Sequence, residues 1–197
     1  MREVELKSVV SDVRAARRRV EAAGGVLTYE GELTDLRYAD AAGSLVKQDH
    51  VLRLRVYQRD GTKEGHCDWK GPTLYEGGYK VREEVSTPVG DTDTFARILE
   101  NLGFLVIRDI ERHIAQYAIS GGIVRFEEYP RMDPLVEVEG SPEAIEKAIL
   151  ATGLPRSGFN SDRLPDFVAR FEARTGLKAA LSANELAGIY RYRREDA

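Results

Sequence analysis

The chain opens on an alternation. Glu3, Glu5 and Lys7 interleave with Val4 and Leu6, and the two-residue period of a strand places the three charges on one face. Val4, Leu6 and Val9 are assigned to the opposite face. Two carboxylates at the shortest same-face spacing repel unless a cation stands between them, and a hard divalent metal takes oxygen ligands of this kind. Alone, the pattern also describes a solvated strand face. The rest of the chain decides.

Val13, Ala16, Val20 and Ala23 fall at helical spacing after a Ser11 cap, and Gly24-Gly25 ends that helix. Residues 27–40 read as a strand. In 51–59, Leu52, Leu54 and Val56 alternate against Arg53, Arg55 and Tyr57; Asp60-Gly61 then signals a hairpin, and 65–70 return antiparallel. Gly71-Pro72 breaks that strand, and Gly77-Gly78 starts another that runs to Thr87. A helix capped near Asp91 or Thr92 carries Phe95, Ile98, Leu99 and Leu102 on one face. Residues 105–119 are strand-like, Gly121-Gly122 turn, 123–129 return, and 135–139 form the last strand. Ser141-Pro142 opens a helix with proline at the favoured first position. A later helix carries Leu164, Phe167, Val168 and Phe171; from Leu181 onward the chain is charged and short of core residues.

Roughly eight strands joined by hairpins predict an α+β fold, a closed eight-stranded antiparallel β-barrel with helices packed outside, since closure removes exposed edges. Residues 1–178 are expected as one domain, with 179–197 a C-terminal tail or peripheral helix.

The charged strand residues set between apolar neighbours are Glu3, Glu5 and Lys7; Arg53 and Arg55; Asp68 and Lys70; Lys80, Arg82 and Glu84; Arg108 and Arg112; Arg125 and Glu127; Glu137 and Glu139. Their opposite faces hold Val4, Leu6, Leu52, Leu54, Val81, Val85, Val124 and Val138. Amphipathic helices cover those apolar faces, so the charges point inward. A dry interior of this kind is prohibitive, whereas a wet channel of mixed sign with a matching ligand is tolerable. Grouped acids suit a divalent cation, and rows of arginine and lysine suit phosphate oxygens. The alternative is an ordinary barrel with an apolar lumen and a charged outside.

Composition narrows the setting. With 42% hydrophobic and 31% charged residues, the 197-residue chain is globular and long enough for a sizeable core. A net charge of −4, from 29 basic and 33 acidic residues, argues against nonspecific nucleic-acid binding. Cys67 is the only cysteine, which excludes a disulfide framework and fits a reducing compartment. Charged residues at the start predict no secretory signal, and no run approaches the ~18 apolar residues of a membrane span. The expectation is a cytoplasmic protein without nucleic-acid or membrane partners. His50, His66 and His113 are scattered, with no metal-ligand spacing.

The ordered motifs resemble those of the CYTH superfamily of triphosphate tunnel metalloenzymes, named for class IV adenylate cyclase and thiamine triphosphatase. The hallmark E-x-E-x-K strand stands here as Glu3-Val4-Glu5-Leu6-Lys7, followed by Tyr38-Ala39-Asp40, Leu52-Arg53-Leu54-Arg55, Trp69-Lys70-Gly71-Pro72, Arg82-Glu83-Glu84, Arg112 and Glu137-Val138-Glu139. The resemblance implies metal ligation by Glu3, Glu5, Glu137 and Glu139, with Mg2+ or Mn2+ as cofactor. It implies phosphate contacts from Lys7, Arg53, Arg55, Lys70, Arg82 and Arg112. Arg125 joins the substrate-binding candidates, Glu84 and Glu127 join the metal candidates, and Glu3, Glu5 and Lys7 are the catalytic ones. Two positions depart from the family: Ile110 stands where a lysine is frequent, with Arg108 placed to replace it, and Glu127 stands for the usual aspartate.

The implied function is metal-dependent phosphoryl transfer on a small-molecule triphosphate: a triphosphatase acting on inorganic triphosphate, thiamine triphosphate or a nucleotide. The alternatives are a class IV type adenylate cyclase making cyclic AMP from ATP, and a noncatalytic polyphosphate or nucleotide binder. A homodimer is left open.

Overall fold

The computed structural model describes residues 2–189. Among them nine strands form one antiparallel sheet: β1 (Arg2–Val9), β2 (Val26–Asp40), β3 (Val51–Arg59), β4 (Thr62–Lys70), β5 (Leu74–Glu76), β6 (Tyr79–Val89), β7 (Phe104–Ile119), β8 (Gly122–Glu128) and β9 (Leu135–Glu139). The sheet closes because β1 pairs with β9 on one side and β6 on the other. The ring β1-β9-β8-β7-β2-β3-β4-β6 is the expected eight-stranded barrel of an α+β fold. The extra strand β5 extends the β4 edge of β6 beyond the break at Gly71-Pro72.

Three hairpins turn on residue pairs with positive φ: Asp60-Gly61, Gly77-Gly78 and Ser120-Gly121. Two successive positive values match the right-handed twist of the flanking strands. The last turn lies one residue earlier than the expected Gly121-Gly122, because Gly122 already pairs with Ile119 as the start of β8.

Helix α1 (Val13–Ala22) is capped by Asp12 rather than Ser11; its Oδ1 accepts from the Ala15 amide at 2.8 Å. The one-turn helix α2 (Ser44–Lys47) is too short to leave a periodic signal. Asp91 caps α3 (Thr92–Asn101), and Ser141 with Pro142 opens α4 (Pro142–Thr152) as anticipated. The outward faces of β1, β8 and β9 pack Leu6, Val124 and Val138 against Val20, Ile145 and Ile149 of α1 and α4. A second layer places Leu99 and Phe95 of α3 on Tyr38, Leu52 and Leu54.

At the end of β1 the expected placement of Val9 fails. Val9 shares the parity of Glu5 and Lys7 and is 42% exposed, while Val10 fills the core position at 0%. Val85 faces out of the barrel but is 54% exposed, so no helix covers that part of the wall.

Helix α5 (Leu164–Thr175) also departs from the expected outer layer. It packs on Ile110 and Leu135, which share strand faces with Arg112 and Glu137, so α5 stops one end of the barrel. The segment before α6 (Ala183–Leu186) completes this cap: Leu181 is buried against α5, and its carbonyl accepts from the Glu111 amide at 2.7 Å. Leu181 is therefore a core residue, despite its charged surroundings; residues 190–197 lie outside the described residues. No described helix is long and apolar enough to cross a membrane.

Leu6, 1% exposed, sits at the centre of the larger core. Leu6→Ala is expected to lower the unfolding free energy by about 2–5 kcal/mol in urea denaturation. A loss under about 1 kcal/mol would contradict this placement.

Candidate active site

Closure turns one face of every barrel strand into a shared interior. A cavity of about 260 Å3 is lined by Glu3, Glu5, Lys7, Arg53, Arg55, Lys70, Arg82, Arg112, Arg125, Glu127 and Glu137, all anticipated from the sequence. Its volume far exceeds the ~10–15 Å3 that one water needs, so this interior is wet. A second cavity of about 650 Å3 is lined by the remaining two candidates, Glu84 and Glu139, together with Tyr57, His66 and Gln116. Glu3 and Arg55 line both. Strand β3 gives Val51, Leu52, Arg53 and Arg55 to the first cavity and Arg55 with Tyr57 to the second, so the two are successive stretches of one channel.

The lining is a lattice of ion pairs. Glu3 accepts from Lys70 Nζ at 2.6 Å. Lys7 donates to Glu5 at 2.9 Å and also to Glu137, and Lys80 donates to Glu5. Arg125 Nη1 meets Glu137 at 2.6 Å. Arg53 joins Asp68 at 2.8 Å and Glu84 at 3.1 Å. Arg112 bridges Asp35 and Glu127, each at 2.9 Å, and Tyr129 donates to the other oxygen of Glu127 at 2.7 Å. Both oxygens of Glu127 thus have protein partners, and Glu127 stands opposite Leu135, two residues along β9 from Glu137. Arg82 donates to the carbonyls of Gly71 and Asp49, where the chain passes one end of the barrel.

Charge crowding follows from this packing. Burial, then the neighbouring Glu5, raises the Glu3 carboxyl above its usual range. Burial, then Glu137, pushes Glu139 up to about 7. Burial works against ionised Glu5 as well, but Lys7 and Lys80 outweigh it and hold that carboxyl well below normal. Glu5 and Glu139 are direct cross-strand partners, as are Lys7 and Glu137. Like charges directly opposed are destabilising unless a cation intervenes.

Among the described residues, no group of three acidic, histidine or cysteine side chains is already arranged to hold a metal ion. The donor set nevertheless fits one: Glu3, Glu5, Glu137 and Glu139 supply only carboxylate oxygens, the chemistry of a hard divalent cation. The raised Glu3 and Glu139 mark where positive charge is lacking. Among the histidines, His66 and His113 pair with the exposed Glu64 and Glu32, and only His50 lines the first cavity, the inner one, where Leu164 and Pro165 of α5 stop the barrel. Trp69 meets His50 edge-on at 5.2 Å as wall packing.

Several lining residues escaped the sequence reading. Asp35 and Arg37 of β2 point inward, at the spacing of two that marks the other strands. Leu33 shares their parity and hides the alternation, and a register shift follows at Arg37/Tyr38. Lys80, Arg108 and Asp68, expected as inward charges but not as site residues, stand among the others. Asp49 and Arg163 come from connections, where no period applies.

Barrel and lining define the class: a closed antiparallel β-barrel with a buried, charged channel. The chain belongs to the CYTH family, matching the CYTH domain over residues 1–147. Members of this family bind triphosphates, act as triphosphatases or cyclases, and are generally dependent on divalent metal. No curated protein matches the chain. Among solved structures, a protein of Pyrococcus horikoshii OT3 superposes with a TM-score of 0.71 at 22% identity, over 85% of this chain and 98% of that one. A provisionally named adenylate cyclase of Vibrio parahaemolyticus gives 0.72 at 18%, over 85% and 97%. A provisionally named adenylyl cyclase from Hippeastrum, described as having a dominant triphosphatase activity, gives 0.60 at 18%, over 92% and 98%. At these identities the likeness is one of fold.

Asp35 offers a test of the lattice. Burial opposes its ionisation, but Arg112 and Arg53 prevail and bring it down to about 2. A carboxyl depressed in the folded state stabilises the protein above its unfolded value near ~3.9 and loses that effect as pH falls through the folded value. Asp35→Asn is expected to cost about 2–3 kcal/mol at neutral pH, since it removes the charge that Arg112 and Arg53 stabilise in the folded state. The difference from the parent should shrink between about pH 4 and pH 2 in denaturation curves. A pH-independent difference would contradict the pairing.

Proposed function

We propose that this chain is a divalent-metal-dependent triphosphatase that holds its substrate in the barrel channel. The observation carrying this reading is the convergence of Glu3, Glu5, Glu137 and Glu139 with arginines and lysines in the two adjoining cavities of the barrel interior. Phosphoryl transfer asks little covalent chemistry of a protein; it asks for alignment and neutralisation of the phosphate oxygens. The four glutamates would hold Mg2+ or Mn2+, with Glu84 beside Lys70 as a further inward acid. A bound ion of this kind neutralises phosphate oxygens and lowers the pKa of a coordinated water.

The remaining work belongs to the chain itself. Lys7, Lys70 and Lys80 now engage glutamates, and each would turn to a phosphate oxygen once its carboxylate has another cation. Arg53, Arg55, Arg112 and Arg125 are held by acids on neighbouring strands, so their forks are oriented before any ligand arrives. Burial of these groups strengthens each interaction with a reacting phosphate.

One observation keeps a second reading, the adenylate cyclase. The larger cavity, with Tyr29, Tyr57 and His66 in its wall, has room for an organic head group attached to the phosphates. The same electrostatics serve either outcome, depending on whether water or a ribose hydroxyl attacks.

Purified protein with Mg2+ or Mn2+, offered inorganic triphosphate, thiamine triphosphate and ATP, separates the readings. Release of orthophosphate is the expected result. Cyclic AMP with pyrophosphate would transfer the assignment to the cyclase, and tight binding without turnover would leave a binder. Glu5→Gln is expected to reduce metal-dependent turnover at least ~100-fold with an unchanged far-ultraviolet dichroism spectrum. Retained turnover with the same metal requirement would sink the assignment.

A further inference from the structure

Almost every inward guanidinium discussed above has a carboxylate or carbonyl partner. Arg37 does not. Its Nε is buried without a hydrogen-bond partner, and among the described residues no carboxylate comes within ion-pair distance of it, Asp35 acting on it only at longer range. The acid two residues away, Asp35, is already engaged by Arg112 at 2.9 Å and by Arg55 at 3.3 Å. On the sheet, Arg37 is flanked by its own kind: its cross-strand partner on β3 is Arg53 and on β7 is Arg108. Three guanidiniums directly opposed across adjacent strands are mutually repulsive. Burial, then Arg108 and Arg53, depresses the Arg37 guanidinium below its ordinary range. A merely structural arginine in such a place is normally satisfied by the protein, because an unmet buried donor is costly.

The position of this row matters as much as its charge. Arg37 and Arg108 line the inner cavity together with His50, Leu164 and Pro165, at the end that α5 stops. Glu139, by contrast, lines the outer cavity. Glu3, Glu5 and Glu137 line the same cavity as the row, so the end of a ligand held by them can meet Arg37.

We propose that Arg37, supported by Arg53 and Arg108, is a specificity-determining clamp for the innermost phosphate of the ligand, making the channel prefer three linked phosphates over two. The proposal rests on the polyphosphate reading above and deepens it by assigning chain-length selection to one row. Arg37 supplies the uncommitted fork, and a dianionic end group relieves the repulsion among the three guanidiniums. A diphosphate anchored at the glutamates and lysines lacks the third phosphate that would meet Arg37.

The test is calorimetric titration of the metal-free full chain in EDTA, with pyrophosphate and inorganic tripolyphosphate as probes. The parent protein should bind tripolyphosphate roughly ten- to hundredfold more tightly than pyrophosphate. Arg37→Gln should erase that increment while leaving the pyrophosphate Kd within about twofold. Arg108→Gln should do the same, and carries the test if Arg37→Gln fails to fold by dichroism. Equal weakening of both probes, or an unchanged preference for tripolyphosphate, overturns the clamp while leaving the polyphosphate reading intact. Failure of the metal-free parent protein to bind tripolyphosphate overturns the clamp, whereas the polyphosphate reading itself is decided by the metal-loaded assay above.

Discussion

A closed β-barrel has a single inside, and the two-residue period of its strands sends every second side chain into it. In this chain that inside is ionic. The constraint governing the structure is therefore local neutrality: each carboxylate driven into the interior must meet a cation within a few ångströms. The lattice satisfies it for most of them, with Lys7 between Glu5 and Glu137, and Arg112 between Asp35 and Glu127, while Glu139 responds by a raised carboxyl pKa instead. Buried pairs of this kind are weak evidence for stability, because desolvation offsets much of the Coulomb gain. The stabilising work falls to the outer layer, where Leu6, Val124, Val138 and Ile145 are almost fully excluded from water. The inside is held open for chemistry by an ordinary apolar core on its outside.

That division explains what the sequence made legible. Where inward charges alternate with outward aliphatics, as in β1, β3 and β9, the barrel, its polarity and most lining residues can be read directly. Legibility fails where an inward position is apolar. Leu33 sits inside near Tyr57 and Arg112, so β2 loses its alternation and Asp35 and Arg37 pass unnoticed. Ile110 and Leu135 point inward too, because α5 covers that end and needs an apolar seat. Their hydrophobicity is a record of the cap, which no periodicity within β7 or β9 could announce.

Connections carry no period at all, and they supply much of the capped end. Arg163, at the start of α5, donates to Asp49 at 3.2 Å and to Thr73 at 3.1 Å, tying three distant stretches of chain together. The Thr73 amide in turn donates to Asp49 at 2.7 Å. Such contacts are set by tertiary packing, so local sequence holds no trace of them. The same is true of Leu181, whose burial depends on the Glu111 amide and the α5 face rather than on its own neighbours.

Neutrality also sets the terms on which a ligand binds. Lys7 can engage a phosphate only when Glu5 and Glu137 have another partner, and Lys70 only when Glu3 does. An anion entering alone strands those acids without counterions, and a cation entering alone strands the lysines. On the proposed function, the two ligands therefore favour one another, and linkage makes that favour reciprocal: whatever the cation adds to polyphosphate affinity, the polyphosphate adds to cation affinity. Arg37 is the exception that gives the channel a direction. Because its Nε has no partner and no acid among the described residues closes an ion pair with it, it draws an anion without first releasing a carboxylate, so the increment contributed by a third phosphate at that row does not depend on the metal.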